Sequence, residues 1–281
     1  MSGPILLIGG TSPIGRAVAS ELRGAHATTP ADVVVTTRTP TGGVPTLELT
    51  SPDSAAGVVT DLRPSIMIVA ASPNASQLDA DPELALAALE GYRRITEAAL
   101  SGGARSVVLI SSAAVYGTQS NRPRTEDDVP HPEGAYGRFK LAAEAIVAAA
   151  AGDRSLSLRL FNVYGPGMRT SLVNRLLDDR GPVPELFDTR AFVRDYVHVA
   201  DVASGIAMVA TSAVSGILNV GTGHPVNNHD LMELPGTRFV ARPVEPGFSS
   251  HCVAETTRWH SVTGATAPRT VSEAISDSTE W

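Results

Sequence analysis

Short runs of aliphatic and β-branched residues alternate with stretches of helical periodicity from residue 4 to residue 160, and no other feature limits the fold as much. Residues 4–8, 32–37, 66–71, 106–110 and 155–160 read as strands too apolar to keep one face in water. Residues 14–22, 51–62, 82–100 and 135–150 read as the helices between them. Strands without a polar face, joined by helical crossovers, make a parallel sheet covered on both sides. Ser51 before Pro52 and Asp81 before Pro82 are helix starts, because proline loses nothing at a position whose N–H would be unpaired.

After Asn162 the rhythm loosens. Proline and glycine cluster in "YGPGM" and "RGPVPELF", "AFVRDYV" is strand-like, residues 199–210 are helical and "GILNVG" is one more strand. Beyond Gly223 the chain reads as loop until Thr270 and Glu273 form a capping box for a final short helix. The expected fold class is α/β, a Rossmann-type doubly wound parallel sheet with a small C-terminal substrate lobe. Residues 1–165 form a dinucleotide-binding domain to which 190–222 return, and 166–189 with 223–281 form the substrate-binding lobe.

Composition narrows the function classes. A net charge of -7 over 281 residues disfavours nucleic acid and membrane surfaces, both of which need excess Lys and Arg. No apolar stretch approaches the ~18 residues of a membrane span, and the start of the chain has no signal-peptide pattern. The single cysteine, Cys252, can make no intrachain disulfide and is expected to be a structural thiol. A cytoplasmic location is expected.

"ILLIGGTSPIG", residues 5–15, is a strand turning into a helix through glycines. Gly9 can make the tight turn and Gly15 the close packing of helix on strand, while Ser12 stands where a backbone approaches a phosphate. Ser12 precedes Pro13 as a natural N-cap whose hydroxyl could donate to a phosphate oxygen, at a helix end that favours anions. Strand two ends in Thr36, Thr37 and Arg38, without a carboxylate to accept from a ribose 2′-hydroxyl. Arg38 suits a 2′-phosphate and the two threonines can donate to it, so NADP(H) is the preferred cofactor, with NAD(H) as the alternative. A solvated arginine at a strand end is the plainer explanation.

Ser111 and Ser112 close the strand at 106–110, at the sheet edge where ligands bind in open α/β folds. Tyr136, 24 residues after Ser112, shares one helical face with Lys140 through their four-residue spacing. A free phenol titrates near pH ~10, and a nearby ammonium favours its ionised form. Such a trio can pass a proton to or from a carbonyl or alcohol.

With "GGTSPIG", "SSAAVYG", "YGRFK", "LRLFNVYGPG", "RDYVHVADVA" and "LNVGTG" in order, the chain resembles an extended short-chain dehydrogenase/reductase of the NAD-dependent epimerase/dehydratase group. The resemblance implies Ser112, Tyr136 and Lys140 as catalytic residues. It implies Gly9, Thr11, Ser12, Pro13, Ile14, Gly15, Arg38, Leu49, Ala70, Ala71, Phe161 and Val163, with Tyr136 and Lys140, around the cofactor. Ala113, Asn162 and Arg194 fall on the substrate, the last two on its diphosphate; an ion pair of Arg194 with Asp195 or Asp201 is the alternative. The implied partner is a nucleotide-sugar substrate, and a homodimer would pack the helices near 83–101 and 135–150. His198 reads as structural, and no metal site is expected from His224, His229 and Asp230.

Three departures matter. Ser12 replaces the middle glycine, and Ala88 replaces an asparagine that supports the Tyr–Lys pair in the family. Ala113 and Ala114 hold the places of the acid–base pair that dehydratases use to eliminate water, so dehydration is not expected. The first expectation is an NADP(H)-dependent 4-ketoreductase acting on a nucleotide-activated deoxysugar, with an NAD-dependent nucleotide-sugar epimerase as the alternative. A catalytically silent nucleotide sensor is the third.

Overall fold

The computed structural model describes residues 3–24, 33–40, 42–264 and 268–277. Its centre is a parallel sheet of β1 (Ile5–Ile8), β2 (Val33–Val35), β3 (Ile66–Val69), β4 (Ser106–Ser112), β5 (Ser155–Leu160) and a last strand, Gly216–Val220. Their order across the sheet is Gly216–Val220, β5, β4, β3, β1, β2. The chain therefore leaves β1 in one direction for β2 and returns to its other side for β3. A crevice opens at such a reversal, beyond the carboxyl ends of the strands. Asp32, expected in the second strand, lies outside the described residues.

Alternation along each strand divides the core. Ile5 and Leu7 join Ile68, Val108 and Leu158 in one cluster, beneath α1 (Pro13–Arg23) and the helix Val199–Ala210. Leu6 and Ile8 join Met67, Val69 and Leu109 in the other, beneath α2 (Pro52–Leu62), α4 (Pro82–Ser101) and α5 (Ala135–Ala151); α3 is the short Ala75–Ala80. These strands read as unbroken apolar runs because both faces are dry.

The capping expectations divide. Asp81 accepts from the N–H groups of Glu83 and Leu84, and Thr270 with Glu273 makes its box. Ser51 holds the N-cap position without a side-chain capping bond.

Two expectations need correction. "AFVRDYV" is two strands, Phe192–Arg194 and Tyr196–His198, in separate small sheets. The break falls at Asp195, fully buried, whose carboxylate accepts from the N–H groups of Thr222, Gly223 and Ala254. The region beyond Gly223 is also ordered into strands Val226–Asn227, Val240–Arg242 and Ser250–Cys252 and helices Asn228–Met232 and Thr257–Thr263. Those strands are two or three residues long and pair with distant segments, so they carry no local periodicity. A satellite core of Tyr164, Leu176, Leu186, Tyr196 and Leu231 lies under them.

Candidate active site

Three adjoining clefts follow the carboxyl edge of the sheet. The first, ≈ 520 Å³, lies at the reversal and is lined by Gly9, Thr11, Ser12, Arg38, Glu48, Leu49, Ala70 and Ala71 among others. The second, ≈ 640 Å³, shares Ser12, Ala70 and Ser72 with it and adds Pro13, Ile14, Ser112, Tyr136, Lys140, Phe161 and Val163. The third, ≈ 300 Å³, shares Ser112, Tyr136 and Phe161 with the second and ends on Ala113, Asn162 and Arg194. Every residue expected at the site lines one of these clefts except Gly15, which lies buried in the first turn of α1.

Gly9 turns the chain with φ +83°, and a Cβ on Gly15 would stand 2.2 Å from the Gly9 carbonyl oxygen. Helix and strand meet there as closely as the sequence suggests. Ser12 behaves otherwise than expected. Its hydroxyl accepts from the Gly15 N–H at 3.0 Å and donates its proton to the Gly9 carbonyl at 2.9 Å, so it has no proton left for a phosphate. Ser12 locks the turn, and the Thr11 and Ile14 N–H groups find no acceptor among the described residues. A dinucleotide fits this geometry: two free N–H groups at a helix start for the pyrophosphate, between two clefts that each accommodate one half.

The strand-two end is also revised. Thr36 and Thr37 are buried, and the Thr37 hydroxyl donates to the Thr39 carbonyl, so neither is set out to hold a phosphate. Arg38 is solvent-facing, its side chain 71% exposed, and Glu48 approaches it to 3.9 Å. The backbone pairing of Thr37 with Thr46 carries this carboxylate into the first cleft. Sequence order hid Glu48, because it arrives from a loop ten positions beyond Arg38.

Strand pleating separates the two serines. Ser111 points into the interior and hydrogen-bonds Glu144, which forms a buried ion pair with Arg159 at 2.7 Å. Ser112 faces the clefts, its oxygen accepting from the Ala114 N–H at 3.2 Å. Tyr136 and Lys140 lie on one face of α5, the ammonium 5.7 Å from the centre of the phenol ring. Lys140 Nζ donates to the Ile110 carbonyl at 2.9 Å. Burial pulls the Lys140 ammonium down to about 8, with Glu144 one turn on opposing that shift. Burial also holds the Tyr136 phenol above its usual range, while hydrogen bonding with Ser72 and Ser112 pulls the other way. Desolvation is the largest effect on this phenol, outweighing the hydrogen bonds that favour its ionised form.

Ser72 escaped the sequence reading, although it follows directly on the Ala70–Ala71 pair after β3. So did Tyr92, one turn beyond Ala88 on α4. Ala88 is packed in the core, and the fully buried Tyr92 fills the region behind the site, donating to the Ala71 carbonyl at 2.6 Å.

At the far end Arg194 has no carboxylate partner among the described residues, against the ion-pair alternative. Asp195 is held by Thr222 and its neighbours, and Asp201 lies 3.8 Å from Arg269. Arg194 instead donates to the carbonyls of Val193 and Ser250 and to the Ser250 hydroxyl, and lies over the Phe192 ring at 3.9 Å. Asn162 donates its side-chain N–H to the Asp195 carbonyl. His198 caps its helix by accepting from the Ala200 N–H, and Cys252 is buried with its thiol pushed up to about 11. His229 pairs with Asp188, and Asp230 completes the capping box of Asn227 at the start of the helix Asn228–Met232.

Residues 5–221 match the model of the "NAD dependent epimerase/dehydratase family". The chain belongs to that family. This epimerase/dehydratase-family chain is 29% identical over 207 residues to the UDP-glucose 4-epimerase of Azospirillum brasilense, covering 59% of itself and 60% of that protein. It is 30% identical over 154 residues to the dTDP-glucose 4,6-dehydratase of Streptomyces griseus, with 52% and 47% covered. The aligned region thus spans about half to three-fifths of the curated relatives' length. Among solved structures it superposes on MoeE5 in complex with UDP-glucose and NAD with a TM-score of 0.80 at 29% identity, covering 98% of this chain and 96% of that one. MoeE5 has also been solved with UDP-glucuronic acid and NAD.

Proposed function

We propose that this family member exchanges hydride between a nicotinamide cofactor and C4 of a nucleotide-activated hexose, with NAD retained so that the net reaction is epimerisation. The observation that carries this is the position of Tyr136, which lines both the cleft that suits a nicotinamide and the cleft that Arg194 lines. Bound NAD supplies the hydride acceptor and donor. The chain's own residues do the rest. Thr11 and Ile14 N–H groups hold the pyrophosphate, and Arg194, with no carboxylate of its own, pairs with the sugar diphosphate through its planar fork. Ser112 orients the C4 oxygen. As the phenolate, Tyr136 takes the hydroxyl proton when the alcohol becomes a ketone, and as the phenol it returns that proton when the alcohol re-forms on the other face. Lys140 supplies the positive charge that makes the exchange feasible at neutral pH.

Glu48 supports NAD over NADP, since a carboxylate beside Arg38 opposes a 2′-phosphate. The likeness to MoeE5, solved with NAD, supports the same choice. An NADP(H)-dependent 4-ketoreductase is the second reading, favoured by the exposure of Arg38. Ala113 and Ala114 supply no acid–base pair to either reaction and weigh against dehydration. Following UDP-glucose with NAD by NMR tests this: a C4 epimer without net NADH supports epimerisation. Stoichiometric NADPH oxidation on a 4-keto sugar, with no epimer formed, supports the reductase.

A further inference from the structure

The third cleft holds one acid, Glu133, and one base, Arg194, among the described residues that line it. Glu133 lies three residues before Tyr136 and borders the same wall as Ser112, Ala113 and Gly134. Its carboxylate is fixed rather than free. The Thr118 N–H donates to Oε1 at 2.8 Å, and the Thr118 hydroxyl lies 3.1 Å from both oxygens. Gly117 makes room for it: with φ +69°, a Cβ there would fall 3.1 Å from Oε1. Both donors are neutral, and the cation that feels this charge is Arg194, which lines the same cleft without forming an ion pair with it. The Arg138 guanidinium reaches only its backbone carbonyl. An exposed carboxylate without an ion-pair partner is thus held at the rim of the cleft that Tyr136 and Arg194 also line.

We infer that Glu133 is a specificity-determining residue that admits hexoses without a negative charge and rejects hexuronates. This rests on the nucleotide-sugar function proposed above and narrows its substrate class. A carboxylate on the sugar would face a like charge at the rim of the cleft, while Arg194, the one cation lining it, is engaged by the diphosphate. The neutral hydroxymethyl of a hexose carries no such penalty, and its oxygen can donate to Glu133.

Binding of UDP-glucose and of UDP-glucuronic acid is measured by calorimetry at saturating NAD for the parent protein, Glu133→Gln and Glu133→Lys. The parent is expected to prefer UDP-glucose severalfold, a preference that disappears in Glu133→Gln and reverses in Glu133→Lys. Raising the salt concentration should weaken the parent's discrimination in the same direction. Equal affinity of the parent for both ligands, or a preference that neither substitution changes, overturns the inference while leaving the nucleotide-sugar function standing. Failure of every form to bind either ligand overturns both.

Discussion

Lys140 shows the balance the site has to strike. Its ammonium is buried against the Ile110 carbonyl with its pKa lowered to about 8, while Tyr136 is raised. At pH 7 the lysine is therefore mostly charged and the tyrosine holds its proton. The half-reaction that protonates the ketone should run at a constant rate through neutral pH and fall as pH rises through about 8, where Lys140 loses its charge. Stopped-flow rates between pH 6 and 9.5 check this, and a rate that climbs across that span contradicts it. The same burial affects stability. The folded pKa of about 8 lies below the ordinary 10.5, so the unfolded chain binds this proton more tightly. The penalty is complete below pH 8 and is relieved as pH rises toward 10.5, so stability from this group increases across that window. Lys140→Met should abolish turnover and yet raise the melting temperature by several degrees at pH 7, a gain that fades by pH 10. A lower melting temperature at pH 7 would mean that the contacts with Ile110 and Glu144 outweigh the desolvation.

At the scale of elements, two positions test how the cofactor clefts are built. Ser12 is a cap that spends its hydroxyl inside the turn. Ser12→Ala should cost about 1 kcal/mol and Ser12→Gly only a few tenths, by chemical denaturation, with NAD affinity nearly kept in the glycine variant. A large loss of affinity in Ser12→Gly would restore the hydroxyl to the phosphate. Gly91 sits inside α4, where alanine ordinarily stabilises a helix by up to about 1 kcal/mol. Here its Cβ would stand 2.0 Å from the Leu49 carbonyl oxygen, in the wall of the first cleft. Gly91→Ala should therefore lower the melting temperature and weaken NAD binding together; a stabilised protein would show that the loop at 47–49 yields freely. The main helices and the sheet strands were legible because each crosses a dry sheet or packs on one, and burial writes periodicity into the residues. Ser12's role was legible only in part, since the chain shows an N-cap but not which way its proton points. Glu48, Ser72 and Glu133 were hidden because their meaning depends on neighbours brought close by the fold, not by the sequence. Arg194 was visible as a motif, but its anchor Ser250, 56 positions away on a three-residue strand, was not.

At the scale of the molecule, a parallel sheet carries the clefts at its carboxyl edge, while the described residues of 166–189 and 223–281 contribute to a satellite core beside it. We propose those segments as the lobe that chooses the nucleotide and sugar, with Arg194 and Phe192 on the boundary. The described residues contain no helix long and apolar enough to cross a membrane. Cofactor choice belongs to this scale too, because Arg38 and Glu48 come from separate segments that the edge of the sheet brings together. Glu48→Gln should shift the ratio of NADP to NAD affinity toward NADP by severalfold, read by fluorescence titration; an unchanged ratio would remove Glu48 from that decision. The central claim is that one phenol, on the seam of two clefts, moves the proton that accompanies hydride transfer. Turnover of UDP-glucose by Tyr136→Phe, measured with NAD and UDP-glucose affinities in parallel, tests it most directly. The expected result is a loss of two to four orders of magnitude in kcat, about the worth of a general acid–base group, with both affinities within a fewfold of the parent; a kcat that survives the substitution would contradict the account.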